Sequence, residues 1–189
     1  NGISGDYGDG LTTADPYLAV YYPACISSDV QGNEICMPAS HMALRTFIRS
    51  DNLSYQWFAP AGTRRGLVDN ATNIGYLKTS GSTTIFVQNS INQGLRDVMY
   101  ENAVNPVTNF PGVGLTVFGQ KTRNGSASAL DRINVARLVN YIRTILAKAG
   151  NGFLFEPNDK QTREQFKAVI SSAFNDIKAK RGIYDYLVV

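Results

Sequence analysis

The sequence predicts an α/β protein, or an α+β variant of one: a mixed sheet with two long amphipathic helices packed on it. Two observations carry this. From residue 83 onward, strand-like and helix-like segments alternate, the order that builds a layered α/β structure. Two segments near the C-terminal end also place apolar residues three and four apart over several turns, the mark of a helix with one buried face. No internal repeat of solenoid length interrupts the pattern.

Residues 1–10 carry four glycines and no periodicity and read as loop; residues 1–15 are assigned to a linker or the end of a preceding domain, and 16–189 to one domain. Leu18 to Tyr22 is β-branched and aromatic between Pro16 and Pro23, a short strand. Cys25 and Cys36 flank a turn at Gln31-Gly32-Asn33 and are expected to lie across a hairpin. Ser40 reads as the N-cap of a helix whose apolar stripe is Met42, Leu44, Phe47 and Ile48. Residues 50–80, rich in Asn, Gly, Ser and Thr, show no helical period. Thr83 to Val87 is a strand, and Ile91, Leu95, Val98 and Met99 mark a helix ending near Asn102. Asn105-Pro106 and Pro111-Gly112 punctuate a loop, and Leu115 to Phe118 is a buried strand.

The most regular helix follows. Ile133, Ala136, Val139, Ile142, Leu146 and Ala149 share one face, Asp131 sits in its first turn, and Gly150 suits its C-cap. Phe153 to Phe155 reads as a strand closed by Pro157. The second long helix carries Phe166, Val169, Ile170, Ala173, Phe174 and Ile177 and ends at Gly182. Ile183 to Val189 reads as a last strand.

Composition narrows the function classes. A chain of 189 residues with 43% hydrophobic and 17% charged residues is an ordinary globular composition. No run of about 18 apolar residues is present to span a bilayer. A chain that starts on Asn1 and stops within strand-like Tyr186-Leu-Val-Val189 is expected to be a piece of a longer protein. Two cysteines fit free thiols in a reducing compartment, and neither their spacing nor the single His41 suits a zinc site, so no metal or cofactor is expected. Charge is uneven: residues 1–116 hold six Lys/Arg against nine Asp/Glu, or −3, and residues 117–189 hold twelve against six, or +6. A basic segment points to an acidic partner, nucleic acid among the candidates.

Four constellations bear on chemistry. Gly112-Val-Gly114 precedes a strand, whereas a phosphate-binding loop must follow one and open a helix, so it is not a dinucleotide site. Glu156-Pro-Asn-Asp159 puts two carboxylates after a strand, where acid–base chemistry is often found. The plainer reading is that Asp159 or Asn158 caps the next helix and Glu156 pairs with a nearby arginine. His41 is a lone histidine and no catalytic partner for it is evident. Arg132, Arg137, Arg143 and Lys148 lie along one helix, and eleven residues make three turns, so Arg132 and Arg143 share an azimuth. No aromatics interleave with these charges, which weakens a nucleic-acid reading.

Ala59-Pro-Ala-Gly62 with Arg65-Gly66, Tyr100 to Val107, Phe110-Pro-Gly112 and Val117-Phe-Gly-Gln-Lys-Thr122 follow one another in an order that resembles the conserved C-terminal part of contractile phage tail sheath proteins. Leu130-Asp-Arg-Ile-Asn-Val-Ala-Arg-Leu138 is similar to that family's signature, Phe155-Glu-Pro-Asn158 with Thr162-Arg163 to its strand-to-helix junction, and Arg181 to Tyr184 to its last strand. The resemblance implies a structural subunit without enzymatic activity. Such subunits form six-fold rings stacked helically around a tail tube, bounded by baseplate and tail terminator proteins, in a virion tail assembled in the bacterial cytoplasm. They contract to drive the tube through the host envelope. It implies that the conserved domain lies near the tube and that terminal arms, absent here, exchange strands between subunits. Under it, Arg132, Asn134 and Arg137 become scaffold and interface residues, with Arg143 and Lys148 on the same helix. Glu156, Asn158 and Arg163 become ion-pair and capping residues. No nucleic-acid binding or membrane insertion is implied. The competing expectations are a small α/β enzyme at Glu156–Asp159 and a basic nucleic-acid-binding domain.

Overall fold

A computed structural model describes residues 14–189; the linker assigned to the first residues lies mostly outside them. Two sheets form the body. The first has the order β1-β6-β7, with β1 (Val20–Tyr22) parallel to β6 (Val104–Phe110) and β7 (Gly114–Val117) antiparallel to it. The second is fully antiparallel, in the order β3-β2-β4-β5, built from β2 (Ala24–Ser28), β3 (Glu34–Met37), β4 (Asn73–Ser80) and β5 (Thr83–Gln88). Only Pro23 separates β1 from β2, so one run of chain serves both sheets. Helices α1 (Ala39–Leu53), the single-turn α2 (Gly62–Arg65) and α3 (Gln93–Glu101) fill the connections. Two long helices close the chain, α4 (Ile133–Asn151) and α5 (Lys160–Ala179). The mixed α/β class expected from the sequence is what forms.

The main core gathers Cys25, Met42, Ile74, Met99, Val107 and Val117 between α1, α3 and the two sheets. A second cluster joins Trp57, Leu138 and Ile177, with Tyr141, Ile142 and Ile183 against it. The long helices therefore pack chiefly on each other and on Trp57, whose indole N–H donates to the Lys180 carbonyl at 3.1 Å.

Several local expectations change. Residues 50–80 hold the last turn of α1, all of α2 and the strand β4, whose polar Asn73, Lys78 and Ser80 hid its alternation. The expected loop at Asn105-Pro106 is β6, a central strand buried from Asn105 to Thr108. Near-continuous burial, not alternation, is the signature of a strand covered on both faces, and proline there reads as a breaker. In α1, Ser40 lies one residue inside the helix. Pro38 takes the N-cap position, and no side chain caps it. The buried face of α1 is Ala39, Met42, Ala43, Thr46 and Ser50, leaving Leu44 and Ile48 in solvent. The 24–37 hairpin forms as expected, but Cys25 pairs in register with Met37 and Cys36 with Ile26. Opposed residues share a face and successive ones alternate, so the two thiols point to opposite sides. Both are free, and burial together with the nearby Cys36 pushes the Cys25 thiol up to about 12.

Candidate interaction surface

The segment Leu130–Leu138 is held in place by its neighbours before the helix begins. Ser128 Oγ accepts from the Leu130 N–H at 3.3 Å and opens a single 3-10 turn, Ala129–Asp131. The Thr122 hydroxyl donates to the Leu130 carbonyl at 2.7 Å, the Thr122 N–H donates to the Asp131 carbonyl at 2.9 Å, and the Ile133 N–H donates to the Gln120 carbonyl at 2.9 Å. Asp131 therefore precedes α4. Arg132 is its extended N-cap residue, and the C-cap falls on Gly152 two residues beyond Gly150.

This start separates the four basic residues. Arg132 lies outside the helix, so the eleven-residue spacing to Arg143 makes no ridge. Arg132 pairs with Asp131 at 3.2 Å and stands 5.7 Å from the Tyr100 ring. Arg137 points inward: one guanidinium nitrogen contacts both Asp51 oxygens, and the group lies 5.0 Å from the Phe47 ring. The Tyr21 ring meets Phe47 edge-on at 6.2 Å; burial raises its phenol, with the Arg137 charge acting the other way. Arg143 is exposed and rests 5.3 Å over the Tyr17 ring, and Lys148 is exposed in the last turn. Asn134 is half-buried in the first turn of α4.

The corner between α4 and α5 is a turn and not the expected strand. Phe155 takes a left-handed φ of 70° and is fully solvent-exposed, with Leu154 also largely exposed. A β-strand needs an edge to pair with, and among the described residues no strand pairs with residues 153–155. Asp159 caps α5: its Oδ1 accepts from the Thr162 N–H at 2.7 Å, and this bond first of all holds its carboxyl below the usual range. Arg163 donates to Asn158 Oδ1 at 3.0 Å. Glu156 is exposed, and among the described residues no arginine or lysine lies within ion-pair distance of it.

Helix α5 ends in a Schellman motif. The Gly182 N–H donates to the Ile177 carbonyl at 2.8 Å, and Arg181 N–H donates to the Lys178 carbonyl at 3.0 Å, with Arg181 at φ 64°. The helix proper stops at Ala179. Residues 183–189, expected as a strand, fold back along α5 unpaired. The Tyr186 hydroxyl lies 3.0 Å from the Ser171 carbonyl and 2.7 Å from Asn175 Oδ1, and its ring stacks on Phe174 at 5.1 Å. Tyr184, Leu187 and Val189 stay in solvent.

The aromatic partners of the basic residues come from distant segments: Tyr17, Phe47 and Tyr100. Reading along α4 alone misses them, because their proximity is created by the fold. Arg96 of α3, which lies 5.4 and 5.6 Å from the Phe110 and Phe118 rings, beside the pair, gave no signal in the sequence at all. The best-formed clefts, of about 110 to 330 Å³, do not include Glu156 or Asp159. Among the described residues, no group of three His, Cys, Asp or Glu side chains is placed to hold a metal ion. No helix among them is long and apolar enough to cross a membrane.

The fold is similar to that of solved sheath structures from contractile injection systems. The sheath complex of the extracellular contractile injection system PVC, in its contracted state, superposes with a TM-score of 0.73 at 24% identity, over 93% of this chain and 44% of that one. The contracted helical sheath of the anti-feeding prophage gives 0.69 at 20% identity, over 87% and 41%. At these identities the likeness establishes the fold. Sequence goes further: the chain is 36% identical over 141 residues to the tail sheath protein of Enterobacteria phage T4, covering 75% of this chain, and 34% identical over 140 residues to that of Vibrio phage KVP40, covering 74%. No protein-family model matches. The chain is a homologue of the contractile phage tail sheath proteins, and it spans about a fifth of the length of these two relatives, 19% of each.

Proposed function

We propose that this chain is part of a structural subunit of a contractile tail sheath, one that polymerises around a tail tube and contracts to drive it through a host cell envelope. The observation that carries the reading is sequence homology to two tail sheath proteins along three quarters of the chain, on a fold shared with contracted sheaths. The subunit acts by assembly and not by catalysis: Glu156 and Asp159, the candidate catalytic pair, sit on an open turn where one caps a helix and the other faces water.

Its partners are further copies of itself in six-fold rings and helical stacks, the tube, and the baseplate and terminator proteins at the two ends, in a virion tail assembled in the bacterial cytoplasm. Arg143 and Lys148, exposed on α4 within the basic part of the chain, are the residues we assign to an acidic tube surface. Arg132 and Arg137, with Asn134, serve the subunit's own scaffold. Complementary charge of this kind sets register more than affinity. Electron microscopy of the full-length protein, overexpressed alone, tests the reading. Tubular helical assemblies are expected, and a protein that stays dispersed at high concentration counts against it.

A further inference from the structure

Helix α3, β6 and the segment following β7 enclose a cleft of about 200 Å³ whose lining includes Arg96, Tyr100, Phe118 and Gly119. Its floor is rigid. Asn105, 1% exposed, donates from Nδ2 to the carbonyls of Val20 at 3.0 Å and Lys121 at 2.8 Å, and accepts from the Lys121 N–H at 2.7 Å. Gly119 approaches so closely that a Cβ would lie 2.7 Å from Asn105 Oδ1, so no larger residue fits without a shift.

Cations are held against rings at the cleft, where Arg96 lines it, and beside it. Lys121 Nζ lies 4.0 Å from the centre of Tyr100, which Arg132 also approaches, and Arg96 lies beside the packed Phe110–Phe118 pair, 5.4 and 5.6 Å from the two rings. Arg132 has Asp131 as its counter-ion, but among the described residues no carboxylate lies within ion-pair distance of Arg96 or Lys121. A ring face holds a cation without using its N–H groups; one Arg96 nitrogen donates to the Ile91 carbonyl at 3.5 Å, and the remaining donors of Arg96 and Lys121 are available to bind. Tyr100 and Phe118 are themselves 44% and 43% exposed. Exposed aromatics beside an arginine are the residue types that dominate protein interfaces. The cleft is too small for an ordinary cofactor, which needs roughly 300 Å³ or more.

We propose that this cleft docks an acidic protein segment, with one Asp or Glu carboxylate shared between Arg96 and Lys121 and apolar neighbours packed on Tyr100 and Phe118. A continuous polyanion fits less well, because Asp97 lines the cleft and Glu101 follows Tyr100. A single carboxylate flanked by apolar groups avoids both. This inference is independent of the sheath reading.

The test uses fluorescence anisotropy with the full chain at low salt. The probes are a labelled peptide alternating Glu and Leu, the same peptide with Gln for Glu, and labelled oligothymidylate. The Glu peptide should bind at least about tenfold more tightly than the Gln peptide, as expected for a charge-assisted contact. K121Q, a side-chain change beside the cleft that leaves the floor intact, and R96Q should each weaken it several-fold, while K160Q/K167Q, at two exposed lysines of α5, leaves it unchanged. Failure to distinguish Glu from Gln, no loss in K121Q, equal loss in K160Q/K167Q, or preference for oligothymidylate would each overturn the proposal.

Discussion

Arg137 of α4 and Asp51 of α1, 86 residues apart, form the ion pair that ties the helical hairpin to the rest of the molecule, with distances of 2.7 and 2.6 Å to the two carboxylate oxygens. Their side chains are 19% and 27% exposed, between the surface and buried regimes. The other terminal guanidinium nitrogen of Arg137 is buried without a partner, as are Tyr21 Oη and Ser50 Oγ. Removing one partner leaves the other charge poorly solvated.

Arg137→Ala should therefore destabilise the fold by about 1–3 kcal/mol, below the loss for a fully buried pair and above that for a surface one. Urea unfolding of R137A, D51N and the double variant measures it. A coupling energy near zero in that cycle would dismiss the clamp.

The end of α5 offers opposite effects at adjacent positions. Gly182→Ala places a Cβ 2.5 Å from Ile177 Cγ2 and 3.3 Å from the Trp57 ring, so it should cost about 1–3 kcal/mol. Arg181→Gly relieves the left-handed φ of 64° and should be neutral or stabilising by up to about 1 kcal/mol. Chemical denaturation of both variants checks the pair, and equal destabilisation would contradict the Schellman geometry.

The tube assignment rests on Arg143 and Lys148. Reversing both to Glu in the full-length protein should reduce co-assembly with tubes, most at low salt, where charge is least screened. The isolated chain should keep its fold, since the exposed contact of Arg143 with Tyr17 contributes only about 0.5–1 kcal/mol. Normal co-assembly at low ionic strength would remove α4 from the tube contact without touching the homology.

Acid stability should show the capping carboxylate. The carboxyl of Asp159 is held low by the Thr162 N–H, so its folded pKa lies below the unfolded one. Its contribution is therefore fully present above the unfolded value, near pH 4, and is lost as pH falls through the lower folded value. Asp159→Asn keeps a capping oxygen but cannot titrate, so the fall in stability below pH 4 should be shallower than in the wild type. Superimposable pH profiles would rule out Asp159 as a contributor.

Thiol chemistry should separate the cysteines. Cys25 is fully buried and its pKa is raised, whereas Cys36 is partly exposed. Iodoacetamide at pH 8 should modify Cys36 in the native protein and Cys25 only on unfolding, and mass spectrometry of the digested product reads the site. Mild oxidation should form no Cys25–Cys36 bridge, because the register of β2 and β3 turns the two side chains to opposite faces.

Much of this protein was legible in one dimension, and the reason is locality. Helices α4 and α5 follow from a 3.6-residue period, the β2–β3 hairpin from Gly32 in its turn, and the Asp159 cap from a carboxylate three residues before the N–H it binds. The ordered motifs from Ala59 to Tyr184 identified the family for the same reason: each is a short string. What tertiary structure decided was every property that depends on a partner far along the chain. Pro106 looks like a loop residue, but its carbonyl accepts from the Phe118 N–H at 2.8 Å and β1 lies on its other side, so β6 becomes the central strand. Residues 183–189 have strand composition, but among the described residues no strand pairs with them, and they lie on α5 through Tyr186. The four basic residues share one stretch of sequence, yet Asp51, Tyr100 and Tyr17 draw three of them to different places. Helix period and capping are set by neighbours within about one turn. Strand pairing, burial and counter-ions are set by which distant segments the fold brings together.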